Sequence, residues 1–253
     1  MTASITLRDY LRRRAAWVWN EQGHAFKRGL ALQEETLTEM LLLRMARDQA
    51  KHGLTVTMFN KTEEGINGAD WEWIVRTPWC DLGLRVQAKR LYHSSKGSDY
   101  GGLDPASGQS GKLIANARTC IPLYVFFNHD HGSNSKLLHG GGEYPFRGRS
   151  YWGCSVACAK KVEAEKSNVL SKLKKHMKPW HRLVTSSGKC AAKSALGIDL
   201  GEAERSMPQD RRDVFERIRE RDFMSLYIIE RDLAGVAILD FSDFRGDRCS
   251  ALI

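Results

Sequence analysis

The sequence predicts an α/β fold: helices packed on a sheet, followed by a basic α+β C-terminal extension. Three observations carry that prediction. After a first basic helix, the chain up to residue 130 runs helix, three strands, helix, strand by hydrophobic periodicity. Hydrophobic residues make up 42% of the 253 and charged residues 27%, enough apolar surface for a core without disulfide or metal staples. No run approaches the roughly 18 apolar residues that a membrane helix needs, and no apolar segment follows a basic one at the start, so a soluble, cytoplasmic protein with no membrane partner is expected.

Each element has its own signal. Residues 7–20 read as a basic helix, with Leu7, Tyr10, Leu11, Ala15, Trp17 and Val18 on one side and Arg12, Arg13 and Arg14 outside. Residues 34–51 read as a second helix that stops at Gly53, its wide apolar arc (Leu37, Met40, Leu41, Leu42, Leu43, Met45, Ala46) suited to a sheet. Residues 55–60, 69–76 and 82–91 carry the β-branched and aromatic character of strands, with turns expected at 65–68 and 77–81. The Gly/Ser-rich stretch 93–111 reads as a mobile loop and 112–120 as a short helix. Pro-Leu-Tyr-Val-Phe-Phe-Asn at 122–128 is a continuous apolar run, hence a strand buried on both faces. A glycine-rich loop at 130–149 precedes a Lys-rich helix over 155–177, loosened near Ser167. A charged helix at 206–221 and two closing strands, 224–229 and 235–239, complete the reading.

Lys plus Arg number 39 against 30 Asp plus Glu, a net charge of +9. A polyanion is the natural partner of such a surface, and nucleic acid is the commonest. The six cysteines form no CxxC pair, and Cys154 and Cys158 have no histidines at zinc spacing. Free thiols in a reducing compartment are the better reading.

Four places bear chemistry: Glu34-Glu35-Thr-Leu-Thr-Glu39 on the second helix, Asp70-Trp-Glu72-Trp on the second strand, Gln87-Ala-Lys89-Arg90 on the third, and the Lys-rich region. Residues two apart in a strand share a face, so Gln87 projects with Lys89 and Asp70 with Glu72. Glu35 and Glu39 share a helix face. Carboxylates hold hard divalent cations through oxygen, and an ammonium beside them stabilises negative charge developing on a phosphate.

This order and these residues resemble the PD-(D/E)XK, or restriction-endonuclease-like, nuclease superfamily. The likeness is nearest to its Mrr-like branch, in which Gln often replaces the acidic residue before x-K, here Gln87-Ala88-Lys89. It covers about residues 30–130. The resemblance implies an αβββαβ core with a mixed sheet over 1–130, and a basic region over 131–253 either separate or packed on that core as one unit. It implies hydrolysis of phosphodiester bonds in nucleic acid, double-stranded DNA in first place, with Mg²⁺ or Mn²⁺ held by Asp70, Glu35 and Gln87. Glu39 is the alternative helical ligand. Lys89 becomes the charge stabiliser, and Arg90, Lys172, Lys174 and Lys175 the backbone contacts. A bacterial defence or restriction setting follows, with a homodimer or a defence-system protein as further partner. Because Gln87 offers only a neutral amide oxygen, either Glu35 or Glu72 makes up the charge, or the site binds metal weakly, or it is inactive; the first is favoured.

Plainer readings stand beside these. Asp70 can be a turn residue, Lys89 and Arg90 an exposed strand edge, Glu35 and Glu39 acids complementing a helix dipole, and the lysines a solvated face. Trp71 and Trp73 read as packing residues. A non-catalytic nucleic-acid-binding module on the same fold is the rival function. The nuclease reading requires Asp70, Gln87 and Lys89 on one face of adjacent strands, with Glu35 or Glu39 entering from the helix.

Overall fold

A computed structural model describes residues 6–52, 54–57, 69–77, 80–95, 97–103, 108–117, 120–130, 148–184, 195–197 and 236–240. Helix α1 (Leu7–Lys27) starts where the Thr6 hydroxyl accepts the Asp9 N–H at 3.3 Å and donates to the Asp9 carboxylate at 2.9 Å. It ends at Gly29, whose left-handed φ of 70° lets the N–H groups of Gly29 and Leu30 reach the carbonyls of Phe26 and Ala25. The helix therefore runs past the expected stop at residue 20. Gly23 does not break it, because that glycine makes room for a neighbour: a Cβ there would lie 2.6 Å from His129 Nε2. Helix α2 (Glu34–His52) buries Leu37, Leu41 and Met45 along one stripe.

The strands are β1 (Leu54–Thr57), β2 (Trp71–Thr77), β3 (Cys80–Ser94), β4 (Gly97–Tyr100), β5 (Ile121–Phe127), β6 (Cys154–Cys158), β7 (Lys178–Pro179) and β8 (Val236–Asp240). Among the described residues they form one mixed sheet in the order β1-β8-β2-β3-β5-β6-β7, with β4 pairing the end of β3. β2 and β3 are antiparallel neighbours, and β3 and β5 are parallel. β8 lies between β1 and β2, antiparallel to the first and parallel to the second. The expected strand at 235–239 thus sits inside the sheet rather than closing it.

Alternation along the strands divides the core in two. Trp71, Trp73, Val86, Ala88, Leu123, Val125 and Phe127 pack against α1 and α2. Tyr124, Phe126 and Leu91 face the other way, onto α3 (Gln109–Ala115), α5 (Ala159–Glu165) and α6 (Leu170–Leu173). A short helix α4 (Arg149–Trp152) precedes β6. Trp71 and Trp73 meet edge to face with centroids 5.6 Å apart, both buried, so they are packing residues.

Two expectations are corrected. The stretch from 155 is not continuous helix: Cys154–Cys158 is a strand, every residue buried, paired with Leu123–Phe127 of β5. Only at Ala159 does the chain turn helical, and the lysines then spread over α5, α6 and a 3₁₀ turn, Lys174–His176. Part of the Gly/Ser-rich stretch is also ordered, since β4 folds back on β3 and buries Tyr100 against Phe126 at 4.5 Å. The turn expected at 77–81 is narrower, since Thr77 ends β2 and Cys80 and Asp81 begin β3, paired with Thr77 and Arg76. Residues 78–79, the turn at 65–68, most of the loop at 130–149, the helix at 206–221 and the strand at 224–229 lie outside the described residues. Among the described residues no helix is long and apolar enough to cross a membrane.

Candidate active site

β2 begins at Trp71, opposite Val86 of β3. Beyond that point β3 offers N–H groups on the same edge, and side chains meet them. The Asp70 carboxylate accepts from the Ala88 N–H at 2.7 Å, while the Asp70 N–H donates to the Val86 carbonyl at 2.8 Å. The Glu34 carboxylate accepts from the Arg90 N–H at 3.2 Å and from Lys89 Nζ at 2.9 Å. Two carboxylates therefore continue the ladder where the strand stops.

Extending the β2–β3 register by one residue sets Asp70 opposite Gln87, on a shared face. Gln87 and Lys89 project to that face beside Tyr124 and Phe126 of β5. Both are buried, and among the described residues Gln87 Oε1 has no hydrogen-bond partner. The turn after β4 covers Lys89: a Cβ on Gly102 would lie 3.6 Å from Lys89 Nζ and 3.8 Å from Gln109 Oε1, and φ there is +70°. Behind this group the Tyr124 hydroxyl and Ser110 Oγ are 2.9 Å apart.

Charge in this cluster is unbalanced. Burial pushes the Asp70 carboxyl up from 3.8 to about 6, the Ala88 N–H and the Lys89 ammonium oppose that rise, and Glu34 and Glu35 add to it. Burial likewise pushes the Tyr124 hydroxyl up to about 12; its bond to Ser110 opposes this and the charges of Glu163, Asp70 and Glu34 reinforce it.

The helical acid is corrected. Glu34, not Glu35 or Glu39, touches Lys89; Glu35 is exposed yet close enough to act on Asp70 electrostatically, and Glu39 is exposed. Positions 34, 37, 41 and 45 follow the buried stripe of α2, so Glu34 is the acid aimed at the sheet. That spacing was present in the sequence. Gly102, Ser110 and Tyr124 had no such signal, because chain reversal brings them in.

Glu72 is not free to supply the missing charge. It forms an ion pair with Arg85 (Oε2 to Nη2, 3.3 Å), both side chains fully buried, and Arg85 Nη1 donates to the Asn116 carbonyl at 2.8 Å. Arg85→Met alone is expected to destabilise the fold by about 3–5 kcal/mol, since it strands a buried carboxylate, whereas Glu72→Leu/Arg85→Met should recover most of the loss. Urea unfolding of the three proteins measures this; equal stability of Arg85→Met and wild type would refute it.

The basic residues divide. Lys172 is exposed and Lys174 half-buried. Lys175 is held by Glu165 at 2.6 Å, and Lys161 donates to the carbonyls of Leu196 and Gly197. Arg90 lies against the ring of Tyr92. Among the described residues no three His, Cys, Asp or Glu side chains form a metal-holding group; the set assembled here is two carboxylates, an amide oxygen and an ammonium.

Fold and site together define an α/β protein with an open mixed sheet flanked by helices and a cluster of polar and charged side chains where β2 ends beside β3. The chain belongs to a family of unknown function, DUF6615, whose model matches residues 7–244. No curated protein and no solved structure matches it.

Proposed function

We propose that the protein is a divalent-metal-dependent nuclease of the PD-(D/E)XK type, hydrolysing phosphodiester bonds in nucleic acid, with double-stranded DNA as the first substrate. The observation that carries the reading is the gathering of Asp70, Gln87, Lys89 and Glu34 where β2 leaves β3. Support also comes from the chain order α2, β1, β2, β3, β4, α3, β5, with β3 parallel to β5; the added β4 and the interposed β8 are departures from a plain αβββαβ order.

The donor set suits a hard cation. Asp70 and Glu34 offer carboxylate oxygens, and Gln87 offers a buried oxygen that lacks a donor. A bound Mg²⁺ or Mn²⁺ would supply Lewis acidity toward the phosphoryl oxygens. Lys89 then faces the scissile phosphate as a preorganised positive charge, worth most where charge builds up in the transition state. Glu34 holds that ammonium in place and competes with the phosphate for it. Tyr124 and Ser110 form the wall behind.

The test is incubation of supercoiled plasmid, and of RNA, with the purified protein in Mg²⁺, in Mn²⁺ and in EDTA. Nicking or linearisation that needs the cation is the expected result. Retention of either nucleic acid without cleavage in any cation would leave the binding-module reading in its place.

A further inference from the structure

We propose that Arg8, Arg12 and Arg182 form a seat for a dianionic phosphate group where α1 meets the 3₁₀ turn Trp180–Leu183. The seat is separate from the Asp70–Lys89 cluster, and the inference does not rest on the nuclease reading. Lys89, Phe126, Ser155 and Pro179 stand in one paired row across the sheet. Pro179 is thus three strands from Lys89, about 14 Å at the usual strand spacing, and the 3₁₀ turn follows it directly.

Apolar packing accounts for part of this junction. Trp180 Nε1 donates to the Leu11 carbonyl at 2.9 Å, and Trp180 and Leu183 join the core on the α1 side of the sheet. The arginines are a different matter. The Arg12 guanidinium lies 4.6 Å over the Tyr151 ring, and Tyr151 meets His181 edge to face with centroids 5.0 Å apart. Burial pushes the His181 imidazole down from 6.5 to about 3, and the charges of Arg12, Arg182 and Arg8 push the same way against Asp9. Guanidiniums from two separate elements therefore act together on one buried, neutral ring.

Asp9 is already shared. Arg8 Nε and Arg12 Nη1 reach the same oxygen, Asp9 Oδ1, at 3.3 and 3.6 Å, while Oδ2 accepts the Thr6 hydroxyl. Burial would raise the Asp9 carboxyl, but the bonds from Thr6 and Arg8 and the charges of Arg8 and Arg12 hold it below its usual value. One carboxylate oxygen cannot satisfy two guanidiniums that carry five N–H donors each. Like charges held this close repel, and an anion relieves them. Solvent reaches the donors: the Arg8 side chain is 43% exposed and the Arg12 side chain 33%, and Arg182 is half-buried. A phosphate dianion suits the seat better than a carboxylate does. It brings three strong acceptor oxygens and close to two negative charges, and planar guanidinium holds phosphate by paired, parallel bonds.

The experiment is isothermal titration calorimetry of the full chain in EDTA at fixed ionic strength and about pH 8, where phosphate monoesters are dianions. The probes are inorganic phosphate, phenyl phosphate as a monoester, dimethyl phosphate as a diester and glutarate as a dicarboxylate. Wild type should bind the first two, and the diester and dicarboxylate about tenfold or more weakly. Arg8→Gln, Arg12→Gln and Arg182→Gln, each checked by thermal melting, should each weaken phosphate binding by about tenfold or more, the usual loss for one charge-assisted bond. Asp9→Asn should bind phosphate several-fold more tightly, because it frees Arg8 and Arg12. A carboxylate that served only to anchor the helix would give no such gain. Lys172→Gln removes an exposed charge elsewhere and should bind as wild type does. Tighter binding of inorganic phosphate than of phenyl phosphate marks free phosphate as the ligand, and the reverse marks a phosphate ester. Wild-type affinity in folded Arg8→Gln and Arg182→Gln would overturn the inference. So would an equal loss in Lys172→Gln, diester or glutarate bound as tightly as phosphate, or no binding of any probe.

Discussion

Replacing Lys89 with methionine is expected to lower kcat for cation-dependent cleavage by about 10²–10³, the usual penalty for removing one charge stabiliser from a preorganised site. Affinity for the nucleic acid should change little, because the ammonium acts on charge that appears only in the transition state. The substitution also has a structural effect that must be separated from the catalytic one. Lys89 is buried and bonds Glu34 at 2.9 Å, so its loss leaves Glu34 and Asp70 without their nearest positive charge. Removing one partner of a buried pair costs roughly 3–5 kcal/mol; Glu34 retains 22% exposure, which places the loss toward the lower end. Lys89→Met/Glu34→Gln should therefore recover stability without recovering cleavage. Single-turnover rates on plasmid, set beside denaturant unfolding of both variants, measure the two effects separately. A folded Lys89→Met that cleaves within a few-fold of wild type would remove Lys89 from the chemistry.

What the sequence disclosed, and what it did not, follows the range of the interactions concerned. Period-two alternation is local, so Gln87 could be placed with Lys89, and Asp70 with Glu72, before their strands were known to be neighbours, as they are; that Asp70 shares a face with Gln87 depends on the register between the strands. The run at 122–128 was legible because a strand buried on both faces has no polar positions to confuse it. Choosing Glu34 over Glu35 was also a local question, answered by the stripe through Leu37, Leu41 and Met45. The wide apolar arc of α2 hid it. Cys154–Cys158 misled for the opposite reason: five residues carry too little periodicity to separate strand from helix, and pairing with β5 decided it. The same holds for β8, whose place between β1 and β2 is a contact across most of the chain. The turn over Lys89 belongs here too, since composition alone marks Gly102 as loop while its neighbours Lys89 and Gln109 make it part of the site.

Asp70→Asn is expected to make the metal-free protein more stable at neutral pH and to abolish cleavage. In the folded protein burial raises the Asp70 carboxyl from 3.8 to about 6, with Glu34 and Glu35 adding to the rise against the pull of the Ala88 N–H and Lys89. The folded state thus binds the proton more tightly than the unfolded chain does. The group's contribution is most favourable below about pH 4, is lost as pH rises through 4 to 6, and stays lost above that. At pH 7 the deficit is at most about 3 kcal/mol. Asparagine keeps an oxygen for the Ala88 N–H and has no charge to bury, so the variant should melt several degrees higher, at about 2–4 °C per kcal/mol for a chain of this size. The difference in melting temperature between the two proteins should shrink as the buffer is taken from pH 7 to pH 4, because wild-type Asp70 then takes up its proton. A divalent cation should act in the other direction. On the proposed reading it would bind the folded state through the ionised carboxylate, so Mg²⁺ or Mn²⁺ should raise the melting temperature of wild type and leave Asp70→Asn nearly unmoved. If Asp70→Asn proved less stable than wild type in EDTA at pH 7, the carboxylate would be a structural asset and not a charge awaiting its ion. If both proteins responded equally to the cation, the ion would be bound elsewhere. Two carboxylates gathered around a single buried ammonium should destabilise the fold until a cation, if one binds as proposed, neutralises them.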